Sequence, residues 1–178
     1  MTQATEQGTL ERILMAADFE LTDQMRSVIG VESEPWTVEL TTTSVRAFAR
    51  GVGYTDPVYF DEDAAKAAGY KSLPAPASYL GTPVFIPAVS DPTYGQPSRS
   101  SGPRLEHGLK NVLDGGTETF YERTPVAGDV LTMTTMVADL EVKDMKIGRS
   151  LVVTNETIYR DKATGDVVAR QRGQGIFY

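Results

Sequence analysis

The segment Gly51 to Pro76, GVGYTDPVYFDEDAAKAAGYKSLPAP, sets a carboxylate between two phenols, side chains of types that could move a proton. Asp56 could act as a general base, and such a group contributes about 10²- to 10⁴-fold when its pKa and position suit the reaction. Tyr54 and Tyr59 flank it, but an unperturbed phenol titrates near pH 10 and is a poor base at neutral pH. An Asp directly before Pro, as at Asp56-Pro57, more often accepts hydrogen bonds from its own backbone in a turn. The chain has one histidine, His107, well outside this segment, and a lone histidine is more often packed or on the surface than catalytic. Zero cysteines exclude disulfides, thiolate nucleophiles and cysteine-based zinc sites, and one histidine excludes a His-rich metal site within one chain.

The elements that must position these residues follow from periodicity. Leu10, Ile13, Leu14 and Ala17, then Leu21 and Met25, recur at helical spacing and predict one helix or two short ones within residues 1–30, an N-terminal extension to a single domain over 31–178. Glu34 to Thr41 alternates Trp36, Val38 and Leu40 and reads as a half-buried strand. Thr43 or Ser44 is the expected N-cap of a helix that buries Val45, Phe48, Ala49 and Val52, with Gly51 and Gly53 at its end. Asp61 caps a short alanine-rich helix, Glu62 and Asp63 load its first turn where the dipole favours negative charge, and Gly69 suits C′.

A further helix is expected after Pro76, through ASYLGTPVF. Five of the ten prolines then fall between Pro83 and Pro103, a stretch irregular enough for a lid. Beyond His107 four strand-like runs, 116–126, 128–142, 148–161 and 165–178, are separated by turns rich in Gly, Asp and Lys and predict an antiparallel meander. Helices early and long strands late give the α+β class. No apolar run approaches the roughly 18 residues that cross a membrane, and no leader-like segment opens the sequence, so a cytoplasmic location is the expectation. A formal net charge of −7 argues against nucleic acid and anionic membranes as partners.

Gly53-Tyr54-Thr55-Asp56-Pro57-Val58-Tyr59, then Asp61, Ala64, Ala65, Ala68, Gly69 and Tyr70, then Ala75-Pro76-Ala77, resembles the signature of the MaoC-like hydratase/dehydratase superfamily and its N-terminal FAS1-like dehydratase branch. In competent members the frame runs Gly-Asp-x-Asn-Pro-Leu-His and ends in Ala-His-Gly. The resemblance covers about Glu34 to Tyr178 and implies a hot-dog fold, an antiparallel sheet wrapped around a central helix. It implies water addition to an enoyl thioester, or its reverse, with coenzyme A or an acyl carrier protein as carrier and no other cofactor. The family's acid and base positions carry Tyr54 and Tyr59 here, so the catalytic dyad is missing, and Asp56 stands where the family has Asn.

In such superfamilies degenerate units pair with competent ones. The resemblance therefore implies a helper subunit that shapes the acyl tunnel for a homologous hot-dog subunit bearing the Asp/His dyad, in fatty-acid or steroid metabolism. Two alternatives remain at this stage: a self-sufficient homodimeric hydratase with Asp56 or another non-standard base, and an acyl-thioester binding protein without chemistry. Ala75, Pro76, Ala77 and Ser78 are the implied substrate-facing positions, Pro76 lacking the N–H of the residue it replaces. Phe85 and Tyr94 are candidates to line the tunnel, as they are for the core. Arg99, Arg104 and Lys110 could bind coenzyme A phosphates, or be solvated loop charges.

Overall fold

The computed structural model describes residues 19–80 and 105–178. Five strands form one antiparallel sheet: β1 (Trp36–Glu39), β2 (Val112–Tyr121), β3 (Val130–Met145), β4 (Gly148–Asp161) and β5 (Val167–Phe177), in the spatial order β1-β3-β4-β5-β2. With them come the one-turn helix α1 (Asp23–Arg26), the longer helix α2 (Thr42–Gly51) and the short helix α3 (Glu62–Ala67). The class is α+β, as the order of patterns in the sequence implies.

One expectation is overturned. Only β3, β4 and β5 form a meander, because β2 crosses the end of the sheet and pairs with β5, with Tyr121 opposite Ala169. The crossing is fixed by Arg123, whose guanidinium binds the carboxylates of Asp129 and Asp161, the latter at 2.9 Å. Asp161 also accepts from the N–H groups of Ala163 and Thr164, which with Arg123 hold its carboxyl below the usual range. Sequence periodicity finds strands but carries no term for a linker clamped by an ion pair distant in sequence.

The N-cap of α2 also differs. Thr41 occupies it, and Ser44 sits at N3 and returns a bond to the Thr41 N–H, a reciprocal capping box that starts the helix earlier than a cap at Thr43 or Ser44 would. Val45 and Ala49 are buried and Phe48 packs beside them, whereas Val52 is the C-cap and 46% exposed. Asp61 and Gly69 take the cap positions expected of them.

Two clusters share the helix-bearing face of the sheet. The first gathers Val45 and Ala65 with Leu131, Tyr159 and Ala169. The second, at the other end, gathers Met25, Val137, Leu140, Leu151 and Val153, with Leu109 and Phe177 against it. Residues from Phe19 onward are tied to this second end: Arg149 Nε donates to the Phe19 carbonyl at 2.8 Å, and Gly30 N–H to that of Val137 at 2.8 Å. Leu10, Ile13, Leu14 and Ala17 lie outside the described residues, as do the expected lid with Phe85, Tyr94, Arg99 and Arg104 and most of the helix expected after Pro76. Its described part, Ala77–Leu80, is turn.

His107 lies beside the second cluster. Its ring lies on Phe177 at 4.4 Å between centroids, and its Nδ1 accepts the Leu109 N–H at 3.1 Å. Protonation would place a hydrogen on Nδ1 opposite a donor, and burial already lowers the pKa below its ordinary 6.5. Because the folded state binds the proton less readily than the unfolded chain, the stability due to the neutral ring is complete above pH 6.5 and is lost as pH falls through the lowered folded value. A thermal-melt series from pH 8 to 5 is therefore expected to decline in the native chain and to decline less in His107→Gln.

Candidate functional site

Glycine delivers the first of the two tyrosines. At the end of α2, Gly53 takes φ +82°, the Tyr54 N–H reaches the Ala49 carbonyl at 2.9 Å and the Gly53 N–H reaches that of Arg50 at 3.1 Å. These are the two bonds of a Schellman motif, which requires the left-handed conformation that glycine adopts without a Cβ penalty. The turn throws Tyr54 off the helix end. Asp56 then caps a 3₁₀ turn, Pro57–Tyr59, by accepting from the Val58 N–H at 3.0 Å. Its carboxylate is bound to its own backbone, as Asp-Pro turns favour.

The result brings the two tyrosines together, with ring centroids 5.0 Å apart and planes tilted by 35°. Arg46 holds the loop against α2 by donating from Nε to the Phe60 carbonyl at 2.8 Å. Burial first, then the neighbouring Tyr54, Tyr70 and Asp56, raise the Tyr59 phenol above its ordinary value. A phenol so placed is a weaker acid than tyrosine in water, the opposite of what a catalytic base or nucleophile needs at neutral pH.

The segment after α3 is stitched to the β2–β3 linker: the Ala75 N–H donates to the Pro125 carbonyl and the Ala127 N–H to that of Leu73, both at 2.8 Å. Ala75 and Pro76 are buried by this pairing, and Ala77 and Ser78 emerge at the surface of a cleft of about 540 Å³. Tyr54, Ala77, Ser78 and Leu80 form one wall and Thr117, Thr119, Tyr121 and Gln171 of β2 and β5 the other. Tyr121 donates its hydroxyl to the Ala77 carbonyl at 2.7 Å, and Gln171 Nε2 donates to the Leu80 carbonyl at 3.0 Å and to Thr119 Oγ1 at 2.9 Å. Behind the turn, Tyr79 shares a 2.7 Å hydrogen bond with Ser44 and meets Phe48 edge-on at 5.3 Å. Burial raises the phenols of Tyr79 and Tyr121 as well.

The structure thus gathers Tyr54, Ala77 and Ser78 at the cleft, with Tyr59 behind Tyr54. It does not bring Asp56, Lys110 or His107 to its walls: Asp56 caps a turn, Lys110 is exposed in the irregular segment before β2, and His107 packs at the far end of the sheet. Thr117, Thr119, Tyr121 and Gln171 escaped sequence reasoning. Their one signal was polar side chains at the alternate positions 117, 119 and 121 of a strand, on the parity that faces inward.

Comparison with known proteins identifies the fold and the family. The family model for the FAS1-like, dehydratase domain region matches residues 27–171. The UPF0336 protein of Clavibacter michiganensis subsp. michiganensis is 35% identical over 124 residues, which are 70% of this chain and 75% of that protein. A probable enoyl-CoA hydratase alpha subunit of Thermomonospora curvata is 30% identical over 133 residues, 72% of this chain but only 41% of that protein. Among solved structures, the C-terminally truncated HadBC (3R-hydroxyacyl-ACP dehydratase) complex of Mycobacterium tuberculosis superposes with a TM-score of 0.61 at 19% identity, covering 84% of this chain and 96% of the matched one. The sheet and its helices are those of the MaoC-like hot-dog dehydratases. With a matching family model across most of its length, the chain belongs to the FAS1-like dehydratase domain family.

Proposed function

We propose that this chain is the dyad-lacking subunit of a heteromeric (R)-specific enoyl-CoA hydratase or 3-hydroxyacyl-thioester dehydratase. The observation that carries this reading is the tyrosine pair. At the two positions where the family's chemistry needs an Asp and a His, this chain packs Tyr54 and Tyr59 against each other. Asp56 offers no replacement, since its carboxylate caps the turn at Pro57–Tyr59. That binding also speaks against a self-sufficient enzyme built on Asp56.

What the site retains is shape. The Ala77–Leu80 turn is held at two carbonyls, by Tyr121 and by Gln171, so the wall beside which a thioester would lie is fixed by hydrogen bonds rather than by a loop's own preference. Water activation and the proton at C2 would be handled by the partner's Asp and His. The carrier would be coenzyme A or an acyl carrier protein. The names of the relatives support a subunit role: one is called an alpha subunit and another is described as a complex.

The uncovered edge supports a partner too. Among the described residues, β2 has ten residues with one flank unpaired, and Val112 and Phe120 are each 59% exposed, Leu113 44%. Natural proteins rarely leave a long apolar edge strand open, because it templates pairing with another chain. A second hot-dog unit added along β2 would lie next to Thr117, Thr119 and Tyr121 and so close the cleft.

The test is enoyl-CoA hydration followed by absorbance loss, with the chain expressed alone and with a hot-dog protein that carries the full Asp/His signature. Activity is expected only from the co-purified pair. Activity from the chain alone would refute the helper-subunit reading.

A further inference from the structure

The helix-bearing face of the sheet changes character along its length. Between the two apolar clusters run two ranks of residues paired across β3, β4, β5 and β2. One is Thr135, Thr157, Gln171 and Thr119, and the next is Val137, Asn155, Gly173 and Thr117. All but Val137 are polar or lack a side chain. Thr117 is exposed and Asn155, Thr157 and Gln171 are half-buried, so the two ranks mark where the apolar packing of this face stops and polar side chains stay accessible.

The first rank is largely satisfied within itself. Thr135 and Thr157 share a bond of 2.9 Å, and Gln171 Nε2 is committed to Thr119 and to the Leu80 carbonyl. The second rank is not. The Asn155 amide and the Thr117 hydroxyl have no hydrogen-bond partner among the described residues, and neither has Gln171 Oε1. Asn155 is half-buried and its rank neighbour Gly173 leaves space above the strand: among the described residues, a Cβ there would meet only Thr117 Oγ1, at 3.4 Å. Thr117 and Gln171 line the cleft, and among the described residues the strip over Gly173 runs from them to Asn155 just beyond its wall.

We propose that Asn155, Thr117 and Gln171 form a polar subsite of the cleft that receives a hydroxyl group carried on the acyl portion of the thioester. The inference rests on the acyl-thioester reading above and narrows its substrate to an oxygen-bearing acyl group. A hydroxyl both donates and accepts, which matches an amide carbonyl at Gln171 that can only accept and an Asn155 amide that does both. From Gln171, which touches the Leu80 turn, Asn155 lies two residues along and one strand across, about 8 Å away by strand geometry. The subsite would therefore meet the acyl chain well beyond the reacting carbons, where it selects substrates without touching the chemistry.

Isothermal titration of the chain, together with any hot-dog partner that co-purifies with it, tests this with octanoyl-CoA and 8-hydroxyoctanoyl-CoA as probes. The hydroxylated thioester is expected to bind about tenfold more tightly, as one well-made buried hydrogen bond allows. Thr117→Val, which keeps the side-chain shape, and Asn155→Leu are each expected to bring that preference to within about twofold, and Asn155→Leu, outside the cleft wall itself, to leave octanoyl-CoA binding unchanged. Equal affinity of the native protein for both probes would overturn the subsite while leaving the acyl-thioester reading in place. Binding of neither probe would overturn that reading and the subsite with it.

Discussion

Replacing Phe120 with aspartate is expected to leave the isolated chain folded and to weaken its association with a dyad-bearing partner by at least about thirtyfold. The side chain is 59% exposed on β2, so the fold does not depend on its burial. Its neighbour across the ladder is Arg170, next to which a carboxylate is well placed in the free chain. In a partnered sheet the same carboxylate would lose its water. Large aromatic anchors at interface centres cost about 2 kcal/mol or more when removed, which is the basis of the thirtyfold figure. Sedimentation or surface-based binding of the two subunits measures it directly, and unchanged affinity would place the interface elsewhere than β2.

Leu131→Ala is expected to destabilise the chain by about 3 to 4 kcal/mol, in the range of buried leucine truncations that leave a cavity. Leu131 is fully buried and joins three elements: it pairs with Val38 of β1 and with Asp161 of β4, and it lies in the cluster beneath α2. Val45, Ala65 and Val168 are fully buried in the same cluster, so the surroundings can close the gap only in part. Urea titration should show a lower midpoint with an unchanged slope, since the same surface is exposed on unfolding. The variant links stability to function, because Val45 and Leu131 belong to the same cluster as the Tyr79–Leu80 turn that walls the cleft.

Much of this was legible in the sequence. Asp61 and Gly69 sit at the caps their residue types suit, and the run at 148–161 coincides with β4, because cap chemistry and alternation are local properties. The family was legible through Gly53, Asp56-Pro57 and the alanine helix, whose roles the structure explains: a left-handed glycine that presents Tyr54, a capped turn, and a short helix closed by Gly69. What stayed hidden was non-local. The crossing of β2 to β5 depends on Arg123 meeting Asp129 and Asp161, the latter 38 residues away, and the wall at Thr119 and Gln171 joins positions 52 residues apart. Ala75 and Pro76 could be expected at the substrate from their place in the motif, yet they are buried by pairing with the β2–β3 linker while the next two residues face the cleft.

An acid-base dyad is a pair of side chains, and its loss need not disturb the backbone that once positioned it. On the proposed reading, the turn at Gly53, the cap at Asp56 and the fixed carbonyls of Ala77 and Leu80 form a frame of that kind around Tyr54 and Tyr59. The most direct test is the turnover number for enoyl-CoA hydration by the co-purified pair carrying Asp56→Asn in this chain. Asparagine accepts the Val58 N–H as aspartate does, so the cap and the fold survive while the carboxylate of the alternative, self-sufficient reading is removed. Turnover within about twofold of the native pair is the predicted result. A drop of about 10²-fold or more, the usual contribution of a general base, would contradict it and make this chain a catalyst in its own right.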